Sequence, residues 1–299
     1  AANYSISAGQ TTTANITAKA LTVSGITASN KTYDSNTTAT LNTGSVSYSG
    51  LVGGDVFNGT YTGAFSDKNV GTGKTVTITP SYTGADVSNY SITNHANITA
   101  NITTKALTVS GITTSNKTYD GNTVATLNTS SILYSGLVAG DTFSGSYTGA
   151  FANANVGTGK TVTISPTYSG ADVSNYNIQN HSTITADISK KALTATASAP
   201  NKVYDGNNTA TTTLTLSGFI GSETLTSSNA STFNNKNVGS SKTVTVNSIT
   251  LADGSNGGLA ANYSINTGQT TTANITAKSL TASASASNKV YDGITTATS

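Results

Sequence analysis

Apolar and polar residues alternate along this chain in short runs, and nowhere recur at the three-and-four spacing of a helix. Thr75-Val76-Thr77-Ile78-Thr79 alternates, as do Thr161-Val162-Thr163-Ile164-Ser165 and Thr243-Val244-Thr245-Val246. A period of two turns one face of each run toward a core and the other toward water. Asn97-Ile98 with Asn101-Ile102, and Leu107-Thr108-Val109, predict further strands. Asn58-Gly59, Gly71-Thr72-Gly73, Asp120-Gly121, Asp205-Gly206 and Asp292-Gly293 separate them, and these residue types accept the positive φ of tight turns. Many short strands between turns predict an all-β sandwich. Its expected core in the first stretch is Leu21, Val23, Leu41, Val46, Leu51, Phe57, Tyr61, Phe65, Val76, Ile78, Tyr90, Ile92, Ile98 and Ile102. A β-grasp-like unit, with a short helix in a Ser/Asn-rich segment, is the alternative.

The pattern repeats. Asn-Lys-x-Tyr-Asp starts at Asn30, Asn116, Asn201 and Asn288, and Asn-Val-Gly at Asn69, Asn155 and Asn237. Lys before Ala-Leu or Ser-Leu stands at positions 19, 105, 191 and 278, spaced by 86, 86 and 87 residues. A fixed period of this size marks a tandem array. The expected division is 1–18 as the end of a preceding repeat, repeats over 19–104, 105–190 and 191–277, and 278–299 as the start of a following one. The array is expected to continue on both sides. Thr103-Thr104-Lys105-Ala106 is all that separates the last strand of one repeat from the first of the next, so an elongated, stiff rod is expected.

Asp86-Val87-Ser88-Asn89-Tyr90-Ser91-Ile92 recurs at 172–178. This spacing suits the tyrosine corner of an immunoglobulin-like sandwich, in which the Tyr hydroxyl ties the chain to nearby backbone. Tyr90, Tyr176 and Tyr263 are the candidates. Ile92 and Ile178 would then be inward-facing core positions, and a hairpin at Asn94-His95 would pair the next strand. The other recurring pairs, Tyr33-Asp34, Tyr119-Asp120 and Tyr204-Asp205, read as a packed Tyr beside a turn Asp.

Composition removes several functions. Charged residues make up 9% of the chain, all fourteen basic residues are Lys, and the net charge is +2. Lys and Asp balance within each of the first two repeats, leaving no basic stripe for nucleic acid and no polybasic cluster for anionic membranes. No apolar run is long enough to span a bilayer. The absence of Cys removes disulfides and thiolate metal sites. Gly71-Thr72-Gly73-Lys74-Thr75 looks like a phosphate loop, but the Gly needed five residues before the Gly-Lys pair is Lys68, or Ala154 in the second copy. It reads as a hairpin turn. His95 and His181 occupy one loop position in successive repeats, without acidic or thiol companions. Glu223 is the sole Glu, and no Asp-x-Asp run supplies the carboxylates of a calcium site. No catalytic residue, cofactor site or metal site is expected, and the chain is read as a non-enzyme. Asn-x-Ser/Thr sequons are dense, as an Asn-, Ser- and Thr-rich composition produces.

Asn-Lys-x-Tyr-Asp-Gly, Gly-Leu-Val-x-Gly-Asp (50–55 and 136–141), Asn-Val-Gly and Asn-Tyr-x-Ile before Lys-Ala-Leu together resemble the YDG-type repeats of large bacterial surface adhesins, the filamentous-haemagglutinin-like exoproteins secreted by a partner protein. The third repeat departs from the pattern, with 217–223 reading Ser-Gly-Phe-Ile-Gly-Ser-Glu, and the first has Ser35 where the motif has Gly. The resemblance implies an extracellular place at the bacterial surface or in a secreted biofilm matrix, and a stalk or fibre without enzymatic activity. Expected partners are neighbouring repeats, other copies of the chain in a fibre, and cell-surface or matrix glycans if the repeats are carbohydrate-binding modules.

Overall fold

The computed structural model describes residues 3–296; positions 1–2 and 297–299 of the two flanking stretches lie outside the described residues. The chain is all-β. Among the described residues the only helical turns are three short 3₁₀ segments, Val87–Asn89, Val173–Asn175 and Ala260–Asn262, so the helix of a β-grasp unit is not there.

Each repeat builds a small and a large sheet, and repeat 1 adds a two-stranded pair, Thr27–Ala28 with Leu41–Asn42. The small one is three-stranded, with the opening strand Lys19–Ser24 between Ser47–Ser49, antiparallel to it, and Tyr90–Thr93, parallel to it. The large one has five strands in the order Lys31–Thr32, Ile98–Thr103, Gly71–Thr83, Asn58–Phe65, Thr38–Ala39. Its long hairpin, Asn58–Phe65 against Gly71–Thr83, is the alternating stretch seen in the sequence: Val76 is fully buried while Thr75, Thr77 and Thr79 face water. Ile98–Thr103 closes this sheet antiparallel to the hairpin and parallel to Lys31–Thr32. The second repeat has the same two sheets around Lys105–Ser110 and Thr183–Ser189, and the third around Lys191–Ser198 and Thr270–Thr276.

The parallel pairs depart from the all-antiparallel sheets of an immunoglobulin-type sandwich. The hairpin expected at Asn94-His95 is also absent: Tyr90–Thr93 joins the small sheet and Ile98–Thr103 the large one. That connection crosses between sheets because Tyr90 pairs with Lys19 and Ile98 with Val76. Ile92 and Ile178 are half-buried rather than central.

Packing gathers the chain into two compact bodies, residues 1–113, 127–148 and 164–182 in one, and 114–126, 149–163 and 183–299 in the other. The first holds both sheets of repeat 1 and the small sheet of repeat 2. Its main core joins Tyr33, Ala39, Phe65, Val76, Ala100 and Ile102 from the large sheet of repeat 1 to Leu107 and Tyr176 from the small sheet of repeat 2. A separate cluster, Leu21, Phe57 and Tyr90 with half-buried Tyr48, Leu51 and Tyr82, lies under the small sheet of repeat 1. In the second body Tyr119, Phe151, Val162 and Ile188 of repeat 2 are buried, as are Leu193 and Tyr263 of repeat 3. The large sheet of repeat 3 has its own cluster of Phe233, Val244, Ala273 and Ile275. The expected core positions of repeat 1 are all at least half-buried; Ile26 and Tyr33, absent from that set, are fully buried.

Candidate functional site at the junction between repeats

Within each Asn-Lys-x-Tyr-Asp loop, three residues hold the loop itself. Lys31 Nζ donates to Asp34 Oδ1 at 2.6 Å and to the carbonyls of Asn36 and Thr38 at 2.8 and 3.1 Å, and it sits 5.6 Å from the Phe65 ring centre. Asp34 Oδ1 also accepts from the Asn36 amide, the short side chain turning the backbone back on itself. Asn30 Oδ1 accepts from the Asn101 amide and so fastens the loop to the closing strand. The same contacts recur around Lys117 and Asp120, and around Lys202 and Asp205. In the first two loops the remaining residue of the motif, the Tyr, reaches into the next repeat.

In the first body Tyr33 lies edge-on to Tyr176 of repeat 2, ring centres 5.6 Å apart, and its hydroxyl donates to Asp172 Oδ1 at 3.3 Å. Tyr176 Oη accepts from the Val138 amide at 2.9 Å and donates to Asp141 Oδ2 at 2.5 Å. Asp172 Oδ2 accepts from the Thr142 amide at 2.9 Å. From repeat 1, Ser35 Oγ donates to Asp141 Oδ1 at 2.7 Å, and Lys68 Nζ reaches Asp172 at 2.8 Å and Asp141 at 3.5 Å. The Asn-Val-Gly loop engages beside them: the Val70 amide donates to Asn175 Oδ1 at 2.9 Å, and Asn175 Nδ2 donates to Asn69 Oδ1 at 3.2 Å. Asn175 is held for this by the 3₁₀ turn, whose Asn175 amide bonds the Asp172 carbonyl. Every buried polar atom named here therefore has a partner in the neighbouring repeat or in its own loop, the condition under which a polar interface stabilises.

The second body repeats this geometry with different charges. Tyr119 lies 5.5 Å from Tyr263, again edge-on. Both hydroxyls donate to one carboxylate, Tyr119 to Glu223 Oε1 and Tyr263 to Glu223 Oε2, each at 2.7 Å, while Tyr263 accepts from the Ile220 amide at 3.0 Å. Val156 and Asn155 meet Asn262 as Val70 and Asn69 meet Asn175. Leu259 replaces Asp172, Ala154 replaces Lys68, and Glu223, one methylene longer than Asp141, spans both tyrosines. Two carboxylates with one ammonium become one carboxylate alone, so the junction charge is the same. Gly121 shows how close the repeats come: it holds φ +77°, and a Cβ there would lie 2.8 Å from Ile220 Cγ2. In the first junction the equivalent residue is Ser35, which takes φ +66° and uses its hydroxyl on Asp141.

Three consecutive stretches, residues 17–99, 103–186 and 189–273, match the YDG domain. The chain belongs to the YDG domain family. No curated protein matches it.

The Tyr and Asp of the YDG motif thus have different jobs. Tyr33 and Tyr119 meet Tyr176 and Tyr263 across the repeat boundary, whereas Asp34, Asp120 and Asp205 stay in their own loops. Tyr90, at the equivalent of Tyr176, binds the Val52 amide and Asp55 of its own repeat, and Tyr204 is half-buried. The tyrosine-corner expectation located the right side chains with the wrong partner: each hydroxyl reaches a loop 38 to 43 residues upstream in sequence, not the adjacent backbone. The Gly-Thr-Gly-Lys sequence of the YDG repeat is not the hairpin turn either. It opens the second hairpin strand, where Gly73 at φ +60° forms a bulge and its amide donates to Asn101 Oδ1. Sequence reading missed Lys68, Asp141, Asp172, Asn175, Glu223 and Asn262. The signal for Glu223 was its alignment with Asp141 in the only repeat that has Leu in place of Asp172. Among the described residues no three His, Cys, Asp or Glu side chains converge.

The asparagine before the corner Tyr gives an internal comparison. Asn175 and Asn262 are 1% exposed and bonded across the boundary, whereas Asn89 is exposed. Asn175→Ala and Asn262→Ala leave a buried amide without an acceptor and should each cost about 1–3 kcal/mol. Asn89→Ala should cost within roughly 0.5 kcal/mol of nothing. Urea unfolding of the three variants checks this ordering.

The junctions also set pH limits. Lys68 and the Thr142 amide hold the Asp172 carboxyl below the usual carboxylate range. Burial works to raise Asp141, but the Tyr176 and Ser35 hydroxyls outweigh it and the carboxyl titrates low. Burial, then Asp141, pushes Tyr176 up to about 12; burial, then Glu223, pushes Tyr119 up to about 12. Folded carboxyls that titrate low contribute stability above their ordinary 3.8, lost as pH falls through the lowered values. Folded phenols that titrate high contribute stability below their ordinary 10, lost as pH rises toward about 12. Stability measured against pH should therefore fall on the acid side only below 3.8, and on the alkaline side between pH 10 and about 12.

Proposed function

We propose that this chain is a non-catalytic structural stalk segment of a bacterial extracellular adhesin or biofilm-matrix fibre, with the repeats forming an elongated rod. The observation that carries the reading is where the recurring residues go. The YDG tyrosine, the Asn-Val-Gly asparagine and the asparagine-tyrosine pair are committed to joining one repeat to the next, which leaves the recurring chemistry on a joint rather than on a ligand. A single residue, Thr104 or Lys190, separates the closing strand of one repeat from the opening strand of the next. So short a tether and a bonded joint both favour stiffness.

Two measurements test the reading. Small-angle scattering should give the profile of an elongated particle, and antibody against this segment should label intact cells of the source bacterium. A compact profile, or labelling only after lysis, would contradict it. The chain should bind nothing on a glycan array; specific binding would favour the carbohydrate-module reading instead.

A further inference from the structure

The chain has fourteen Tyr and no Cys, Met or Trp. Cysteine and methionine are the usual first sites of oxidation in a protein. Without them, and without indole, the phenols are the side chains that give up an electron most readily. Two groups of these phenols pack together and are not among those that bond across a repeat boundary. Tyr61 Oη donates to Tyr48 Oη at 3.1 Å. Tyr82 lies edge-on to Tyr61, ring centres 6.1 Å apart, with its own hydroxyl on Asn94. In repeat 2 the hydroxyls of Tyr134 and Tyr147 also stand 3.1 Å apart, and Tyr168, bonded to Asn180, lies 6.0 Å from Tyr147.

The two hydroxyls of each pair come from different strands. Tyr48 stands on Ser47–Ser49 of the small sheet, and Tyr61 on Asn58–Phe65, the first strand of the long hairpin. Gly59 makes the room for both: a Cβ there would lie 2.5 Å from the Tyr61 hydroxyl and 2.6 Å from that of Tyr48. Gly145 does the same for Tyr147 and Tyr134. Phe57 and Phe143 back the small-sheet rings edge-on, at 5.0 Å from Tyr48 and 5.1 Å from Tyr134. All four paired tyrosines are half-buried, held by packing yet open to a small reagent. Tyr90 and Tyr176 have their hydroxyls on Asp55 and Asp141, whereas each of these four has its hydroxyl on another phenol. Repeat 3 has neither partner: Leu216 stands opposite Ala195 as Tyr48 stands opposite Val23, and Asn229 lies four residues before Phe233 as Tyr61 lies before Phe65.

We propose that Tyr48 with Tyr61, and Tyr134 with Tyr147, are sites of oxidative coupling, each pair becoming a dityrosine that ties a small-sheet strand to the first strand of the long hairpin. A one-electron oxidant takes one electron from each phenol, and each phenolic proton leaves to water. The two phenoxyl radicals join through ring carbons ortho to oxygen, forming one C–C bond. The hydrogens on those carbons then move to the oxygens and restore two phenols. Two tyrosines and two equivalents of oxidant thus give one dityrosine, two protons and two reduced equivalents. The product is a biphenol with its hydroxyls side by side, and the hydroxyl-to-hydroxyl contact already holds the rings that way. The paired residues are 13 apart in sequence, so each bond closes a short loop and restrains the unfolded chain. The inference rests on the geometry of the pairs and stands whether or not the surface-stalk reading holds.

The test treats the full chain, dilute and folded, with hexachloroiridate(IV), a small one-electron oxidant. Dityrosine fluorescence should appear, and digestion with tandem mass spectrometry should find two hydrogens missing from Tyr48 with Tyr61 and from Tyr134 with Tyr147. Tyr61→Phe should lose the crosslink of repeat 1 and keep that of repeat 2. Tyr61→Phe with Tyr147→Phe should lose most of the fluorescence while its circular dichroism stays that of the wild type. Oxidation should move the unfolding midpoint of the wild type to higher urea and leave that of the double variant where it was. In urea that unfolds the chain, the same treatment should spread coupling over other tyrosines. Folded wild type that forms no dityrosine, coupling at other tyrosines with these four unmodified, a double variant as fluorescent as the wild type, or the same pairs favoured in the unfolded chain would each overturn the proposal.

Discussion

Replacing Tyr119 by alanine should destabilise the protein by roughly 3–5 kcal/mol, the cost of emptying a buried aromatic site. Tyr119 is 5% exposed, its ring packs edge-on against Tyr263, and its hydroxyl ends on Glu223. The variant loses the ring contact, opens a cavity between two repeats and leaves one carboxylate oxygen with a missing donor. Tyr119→Phe keeps the ring and should cost about 1 kcal/mol. The informative control is Tyr204→Ala, the same motif position in repeat 3, where the side chain is half-buried against its own repeat. It should cost no more than about half as much, because only part of its surface leaves water. Urea unfolding monitored by circular dichroism reads all three. Equal costs for Tyr119→Ala and Tyr204→Ala would mean that the tyrosine supports only its own loop.

Glu223→Ala should rank second, at roughly 2–5 kcal/mol, because one carboxylate receives two buried phenols and each unmet hydroxyl costs about 1–3 kcal/mol. Tyr263 keeps the Ile220 amide as a donor but loses its acceptor; Tyr119 loses its only partner among these contacts. Glu223→Gln retains one acceptor oxygen and should fall well short of the alanine loss. The comparison of the two junctions also predicts a rescue. Glu223→Asp alone is too short to span both tyrosines and should be destabilising. Adding Leu259→Asp and Ala154→Lys rebuilds the network of Asp141, Asp172 and Lys68, and should recover most of the loss. These positions share partners, so their effects should be strongly non-additive, with a coupling of about 0.5–3 kcal/mol. Additive losses across the triple variant would show that the two junctions are not built alike.

The strands were legible because their signal is local. Thr75 to Thr79 alternates, and the alternation places Val76 in the core without reference to anything distant. The period was legible for the same reason: identical motifs return at a fixed spacing. Strand pairing was not, because the strands Tyr90–Thr93 and Ile98–Thr103 are consecutive in sequence yet pair with Lys19–Ser24 and Gly71–Thr83. An antiparallel hairpin is the default for two neighbouring strands, and only the competing partners, at long range, override it. The junction was hidden for a different reason. Tyr33 and Asp34 are sequence neighbours, which invites one role for both, but their side chains go to opposite places: Asp34 inward to its own Lys31, Tyr33 outward to the next repeat. Asp141 and Asp172 stand in two separate recurring motifs and Lys68 in a third, and nothing local says that the three meet, since their meeting depends on the docking of two sheets from two repeats. What the sequence did carry was their joint change, with Lys68, Asp141 and Asp172 in one junction against Ala154, Glu223 and Leu259 in the other.

The central claim is that the recurring motifs of each repeat are satisfied by the repeat that follows. One chain contains the comparison needed. The Val70 and Val156 amides donate to Asn175 and Asn262, while Val238, in the same motif of repeat 3, is exposed and has no such asparagine among the described residues. Native-state hydrogen exchange at these three amides is the direct measurement. Slow exchange at Val70 and Val156, fast exchange at Val238, and loss of protection at Val70 alone in Asn175→Ala is the predicted result. Equal protection at all three amides, or a Val70 amide indifferent to Asn175→Ala, would contradict it.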